Sequence, residues 1–178
     1  MRRWLSVAVT LLVISTGPAF AWTAPTGSRL PTIVGGTLSG KKVTFPEDLA
    51  GRPAVLLIGF TRDSRTPVEA WAKALAKAGI DPAETPIYPM PMIGNGIGTR
   101  LARPFIDSGM RGATPKAEHD HVVTVYGDLQ PIKQGLHVTP EHPAYVVLVD
   151  RSGTIAGAWV GPPADAAIAE LRARLKGL

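Results

Sequence analysis

Apolar and polar positions change period several times along the chain, and each change marks an element. Lys42-Val43-Thr44-Phe45 alternates polar and apolar, with Gly35-Gly36 and Ser39-Gly40 supplying turns, so a β-hairpin is expected. Ala54-Val55-Leu56-Leu57-Ile58-Gly59-Phe60 is a continuous apolar run between Pro53 and a polar loop, the pattern of a strand buried on both faces. Val68, Trp71, Ala72, Leu75 and Ala78 then recur at helical spacing, with Glu69, Lys73 and Lys77 on the other face and Gly79 as the stop. Thr85 to Ile93 reads as a second strand, although Pro86, Pro89 and Pro91 argue against a central position. Residues 96–111 read as a poorly patterned helix, Val122 to Tyr126 as a short β-branched strand, and Asp128 to Leu136 as a short helix or turn.

The C-terminal third is patterned most cleanly. Apolar Ala144 to Val149, the turn residues Asp150-Arg151-Ser152-Gly153 and the β-rich Thr154 to Val160 predict a hairpin. Gly161-Pro162-Pro163 then opens a helix whose Ala164, Ala167, Ile168, Leu171 and Leu175 form one stripe. Asp165 stands in its first turn and Arg172, Arg174 and Lys176 in its last, which suits the helix dipole. Three strands, then alternating helices and strands, then a hairpin and a helix imply an α/β sandwich with helices on both faces of a mixed sheet.

The N-terminus has a different character. Arg2 and Arg3, the apolar run Leu5 to Ile14 and the small-x-small Ala19-Phe20-Ala21 predict a secretory signal over residues 1–21. The expected location is therefore periplasmic or secreted. The run is shorter than the roughly 20 apolar residues of a membrane span, so membrane attachment is expected only if the signal is retained. Trp22 to Pro31 is rich in Pro, Thr, Gly and Ser, so residues 22–34 are expected as a tail or linker before one domain over 35–178.

Composition removes several functions. The chain has 178 residues and no cysteine, which excludes disulfides, thiolate metal sites and thiol redox catalysis. Its net charge of +5 becomes +3 without Arg2 and Arg3. With no Lys/Arg cluster and no aromatic platform, that charge does not point to nucleic acid.

Two stretches carry a family likeness. Thr37 to Pro53, with its Gly turn, short strand and Leu49-Ala50-Gly51-Arg52-Pro53 step before the buried strand, resembles the N-terminal half of thioredoxin-like envelope proteins, the thiol-disulfide reductases and peroxiredoxins. His142-Pro143 followed by Ala144 to Gly153 resembles that family's cis-proline and the strand ending in Asp-Arg-x-Gly. The resemblance implies a thioredoxin-like three-layer sandwich with a central mixed sheet and an N-terminal β-hairpin. It also implies a cis Pro143 that brings His142 near residues 63–67, at an edge where redox relatives hold extended peptide. The family's reactive cysteines would stand in the window Thr61-Arg62-Asp63-Ser64-Arg65-Thr66-Pro67, which holds no sulfur. Ser108 to Asp120 is similar to a mitochondrial ATP synthase assembly factor of the same fold, which implies a non-redox, chaperone-like role.

Candidate chemistry is sparse. Asp63 or Ser64 is expected to cap the helix that follows, with Pro67 in its first turn. Arg62 and Arg65 beside a helix start could also hold an anion or an acidic partner residue. A serine nucleophile is disfavoured because Gly-x-Ser-x-Gly is absent. His119 and His121, two apart at a strand edge, would share a face and could bind zinc or copper with His142 as a third donor; a solvated polar turn is the plainer account. Met90 and Met92 suit Cu(I) but read more simply as core. Gly94-Asn95-Gly96-Ile97-Gly98 has Thr99 where a dinucleotide loop needs glycine, so it is expected as a flexible connection. The expectation is an exported, non-enzymatic protein without a cofactor that binds a protein or peptide through Arg62, Asp63, Ser64, Arg65, His142 and Pro143. Metal binding at His119 and His121 is the alternative.

Overall fold

The structure is a computed structural model and describes residues 22–138 and 144–178. Strands β1 (Ile33–Thr37) and β2 (Lys42–Phe45) form the expected hairpin, paired antiparallel from Ile33 with Phe45 to Gly36 with Lys42. β3 (Ala54–Gly59) is buried at every residue and leads into α1 (Arg65–Lys77). β4 (Ile87–Gly94), α2 (Ile97–Ala113), β5 (Val123–Tyr126) and α3 (Gln130–Gly135) follow. β6 (Tyr145–Val149), β7 (Ile155–Val160) and α4 (Asp165–Leu175) close the fold.

The strands form one mixed sheet in the order β2-β1-β5-β4-β3-β6-β7. β3, β4 and β5 are parallel neighbours, and the flanking pairs are antiparallel. Side chains alternate across β3 as the strand period requires. Leu56 and Ile58 join Phe45, Met90, Tyr145 and Leu136 in one core, whereas Val55 and Leu57 meet Trp71 and Leu75 of α1 and Leu171 of α4 in the other. Each fully buried side chain of this size is worth about 1.5–3 kcal/mol, so the two cores hold the helices to opposite faces.

β4 departs from expectation. It lies in the middle of the sheet, between β3 and β5, despite Pro89 and Pro91. A proline costs a strand only the bond that its missing N–H would have made. The ladder with β3 runs unbroken from Ile87 to Pro91, while that with β5 begins at Met92, beyond both prolines, and shifts before Gly94. The side on which β5 starts late therefore absorbs the prolines.

The expected linker is also part of the domain. Gly27 N–H donates to Ile155 O (2.8 Å), Ile155 N–H to Ser28 O (2.9 Å) and Leu30 N–H to Gly153 O (2.9 Å), so this stretch lines the start of β7. Leu30 is buried, and the Trp22 indole N–H donates to Leu136 O at 2.9 Å. The predicted signal over residues 1–21 lies outside the described residues.

Candidate functional site

The turn between β3 and α1 is built by one close approach. A Cβ placed on Gly59 would stand 2.5 Å from the Ser64 Cβ, so only glycine lets the chain fold back there. Ser64 is buried, and its hydroxyl accepts a hydrogen bond from Thr61 N–H at 3.1 Å and contacts Thr61 Oγ1 at the same distance. The turn is thus closed by Ser64 bonding backwards, not by Ser64 or Asp63 capping α1 as expected; Ser64 makes no side-chain cap to that helix. Being buried, Ser64 shapes the turn and offers no contact surface.

Arg62 and Asp63 are exposed, and neither has an ion-pair partner among the described residues. Arg65 is exposed as well, but its Nε donates to Glu69 Oε1 at 2.7 Å. That hydrogen bond and the Glu69 charge raise the Arg65 pKa, so the guanidinium keeps its charge. Beneath the turn Phe60 packs edge-on against Tyr145, with ring centroids 5.7 Å apart, and Lys133 Nζ of α3 lies 5.3 Å from the Phe60 ring. His142 and Pro143, expected beside this turn, lie outside the described residues.

The two histidines are not on a strand edge. His119, Asp120 and His121 form a turn before β5, and their rings face different groups. His119 Nε2 is 3.0 Å from Thr114 O, whereas His121 sits 5.8 Å from the Tyr88 ring and its buried Nδ1 has no hydrogen-bond partner among the described residues. Among the described residues no three His, Cys, Asp or Glu side chains gather as a metal site would require. Asp120 is instead engaged by Lys41 (2.8 Å) and the Ser39 hydroxyl, which hold its carboxyl below the usual range. Met90 and Met92 are buried side by side in the core that also holds Leu56 and Ile58, and Gly94 to Gly96 connects β4 to α2.

The outer side of α2 carries a feature that the expected elements do not include. Ile97, Leu101 and Phe105 are 82, 76 and 81 % exposed, and α2 has no buried residue. The i, i+4, i+8 spacing is legible in the sequence, but spacing alone does not tell an outward stripe from one that packs on the sheet.

A mixed sheet with parallel β3, β4 and β5 at its middle, an N-terminal hairpin, helices on both faces and an empty cysteine window defines a thioredoxin-like fold without its redox centre. The comparisons with known proteins agree on the fold. The chain is similar to a putative protein disulfide isomerase from Bacteroides thetaiotaomicron, at 16% identity and a TM-score of 0.58 over 86% of this chain and 92% of that one. It is also similar to the thioredoxin domain of a thiol-disulfide oxidoreductase from Bacteroides vulgatus (16% identity, TM-score 0.55, 86% of this chain and 99% of that one). A third similar structure is BsSco, a member of the Sco family of cytochrome c oxidase assembly proteins (12% identity, TM-score 0.57, 85% of this chain and 96% of that one). No family model and no curated protein matches the chain.

Proposed function

We propose that this chain is an exported, non-redox thioredoxin-like protein that binds a protein or peptide in the cell envelope and assists its assembly. The observation that carries the proposal is the β3–α1 turn. It keeps the built geometry of a site, with Gly59 and Ser64 closing it, while the thiols that redox chemistry needs are absent from the whole chain. Polar groups displayed on a loop held by a rigid scaffold are the common form of a binding site. Arg62 and Asp63 present one charge of each sign, and Arg65, held by Glu69, adds a guanidinium in a defined place. Main-chain pairing with an extended peptide at this end of the sheet requires no sulfur. The Sco protein's description as an assembly protein lends support from a similar fold, and the likeness of Ser108 to Asp120 to an ATP synthase assembly factor points the same way.

The test is affinity capture from an envelope extract with the wild-type chain and with an Arg62→Ala plus Arg65→Ala variant of unchanged circular dichroism. The expected result is a discrete partner held by the wild type and released by the variant. A partner held equally by both would contradict the assignment of the turn.

A further inference from the structure

α2 leaves a stripe of large apolar side chains on its outer side. Residues at i, i+4 and i+8 share a helix face, and here Ile97, Leu101 and Phe105 are all at least 76 % exposed. At 100° per residue Pro104 and Ser108 fall on that same outward face, and exposed Arg111 borders it about 20° beyond Pro104. The opposite side carries half-buried Ile106 and Met110 together with polar contacts. Tyr126 OH donates to Asp107 Oδ1 at 2.6 Å, and Arg103 lies 4.3 Å from the Tyr126 ring centre and 3.7 Å from Asp107 Oδ2. Burial, and then the bond to Asp107, push the Tyr126 pKa well above its ordinary value, so this anchor stays protonated.

Charge accompanies the ridge. Ile97 to Lys116 contains Arg100, Arg103, Arg111 and Lys116 against the single acid Asp107, an excess of three. That equals the whole excess of residues 22–178, where 17 Lys and Arg stand against 14 Asp and Glu. At the C-terminal end of α2, Arg111, Lys116, His119 and Ser108 line an open cleft together with Asp120, whose charge is already paired with Lys41. One side of the molecule therefore offers a convex apolar ridge and, next to it, a cationic cleft.

We infer that α2 is an interfacial anchor that lays its Ile97-Leu101-Phe105 ridge into the surface of an anionic phospholipid bilayer, with Arg100, Arg111 and Lys116 meeting headgroup phosphates. A helix with an apolar face of Ile, Leu and Phe and a basic flank is the form that lies in a membrane interface. A flat, deformable surface accepts a convex ridge, whereas a protein partner needs a matching groove. No helix among the described residues is long and apolar enough to cross a bilayer, so the contact is along the surface. It does not depend on whether residues 1–21 are retained.

Single cysteines in this cysteine-free chain test the inference site by site. In the full chain, Leu101→Cys and Phe105→Cys are labelled with an environment-sensitive fluorophore and compared with Lys73→Cys on the exposed face of α1. Each is mixed with vesicles of phosphatidylcholine alone or of equimolar phosphatidylcholine and phosphatidylglycerol. The expected result is a blue shift at positions 101 and 105 with the anionic vesicles, none at 73, and reversal by salt. Arg100→Ala plus Arg111→Ala should weaken that partition by about 25-fold, roughly fivefold per arginine. Ridge labels that stay aqueous with anionic vesicles would overturn the inference. So would an equal shift at position 73, or a shift without vesicles that grows with protein concentration, which would assign the ridge to a second copy.

Discussion

α1 and α2 each leave the end of a central parallel strand and return to the next, yet they use their apolar residues in opposite ways. α1 turns Trp71 and Leu75 inward, where both are fully buried against Val55, Leu57 and Leu171. α2 turns Ile97, Leu101 and Phe105 outward and attaches itself through Tyr126, Asp107 and Arg103. Both helices carry apolar residues at helical spacing, but only one is part of the core. An apolar stripe thus reports a surface to be covered; the packed sheet decides whether the protein covers it itself.

The contrast can be broken most forcefully at Trp71. Trp71→Ala removes a fully buried indole and its hydrogen bond to Gly161 O (2.8 Å), and the expected cost is about 3–5 kcal/mol in urea unfolding. A loss below 1 kcal/mol, roughly the scale of a surface change, would mean that α1 does not anchor its core as described. Next in size is Gly59→Ala, which drives a methyl group to 2.5 Å from the Ser64 Cβ; a cost of about 1–3 kcal/mol is expected, with an altered turn. Ser64→Ala should cost about 1 kcal/mol through the lost bond to Thr61 N–H, and an unchanged unfolding midpoint would show that the turn is not closed by this hydroxyl.

Smaller still is the pH effect of Asp150, at the turn from β6 to β7. Partial burial opposes its ionisation, but the Ser152 hydroxyl (2.7 Å) and the N–H groups of Ser152 (2.8 Å) and Thr154 (2.9 Å) outweigh this and lower its pKa. A carboxyl with a depressed folded pKa stabilises the protein above its unfolded pKa, and that stability is lost as pH falls through the folded value. Stability should therefore decline below the ordinary carboxylate range, and Asp150→Asn should flatten that acid limb of a Tm-against-pH curve. The smallest effect belongs to the other half of the comparison. Leu101→Ser with Phe105→Ser should change unfolding stability by no more than about 0.5 kcal/mol per site, as at exposed positions generally. A large loss would place the ridge in a core.

Much of this architecture is legible from period alone. The continuous run of β3, the helical stripe ended by Gly79 (φ +74°) and the C-terminal hairpin are local patterns, and they stand where the pattern places them. Strand order is a matter of long-range pairing and leaves no such trace. Pro89 and Pro91 therefore argued β4 to the edge, when the late start of its ladder with β5 admits it to the centre. The Pro- and Gly-rich stretch before β1 looked like a linker because its attachment runs through backbone bonds to Ile155 and Gly153, which composition does not record. At the candidate site the turn was legible as a position, but the inward Ser64 was not, because its burial follows from the approach of Gly59.

The proposed partner contact at the β3–α1 turn calls for a photo-crosslinking amino acid at Arg62 of the full chain in living cells, with Lys73 on α1 as the control. A discrete adduct formed from position 62 and absent from position 73 is the predicted result. No adduct at position 62, or the same adducts from both positions, would contradict it.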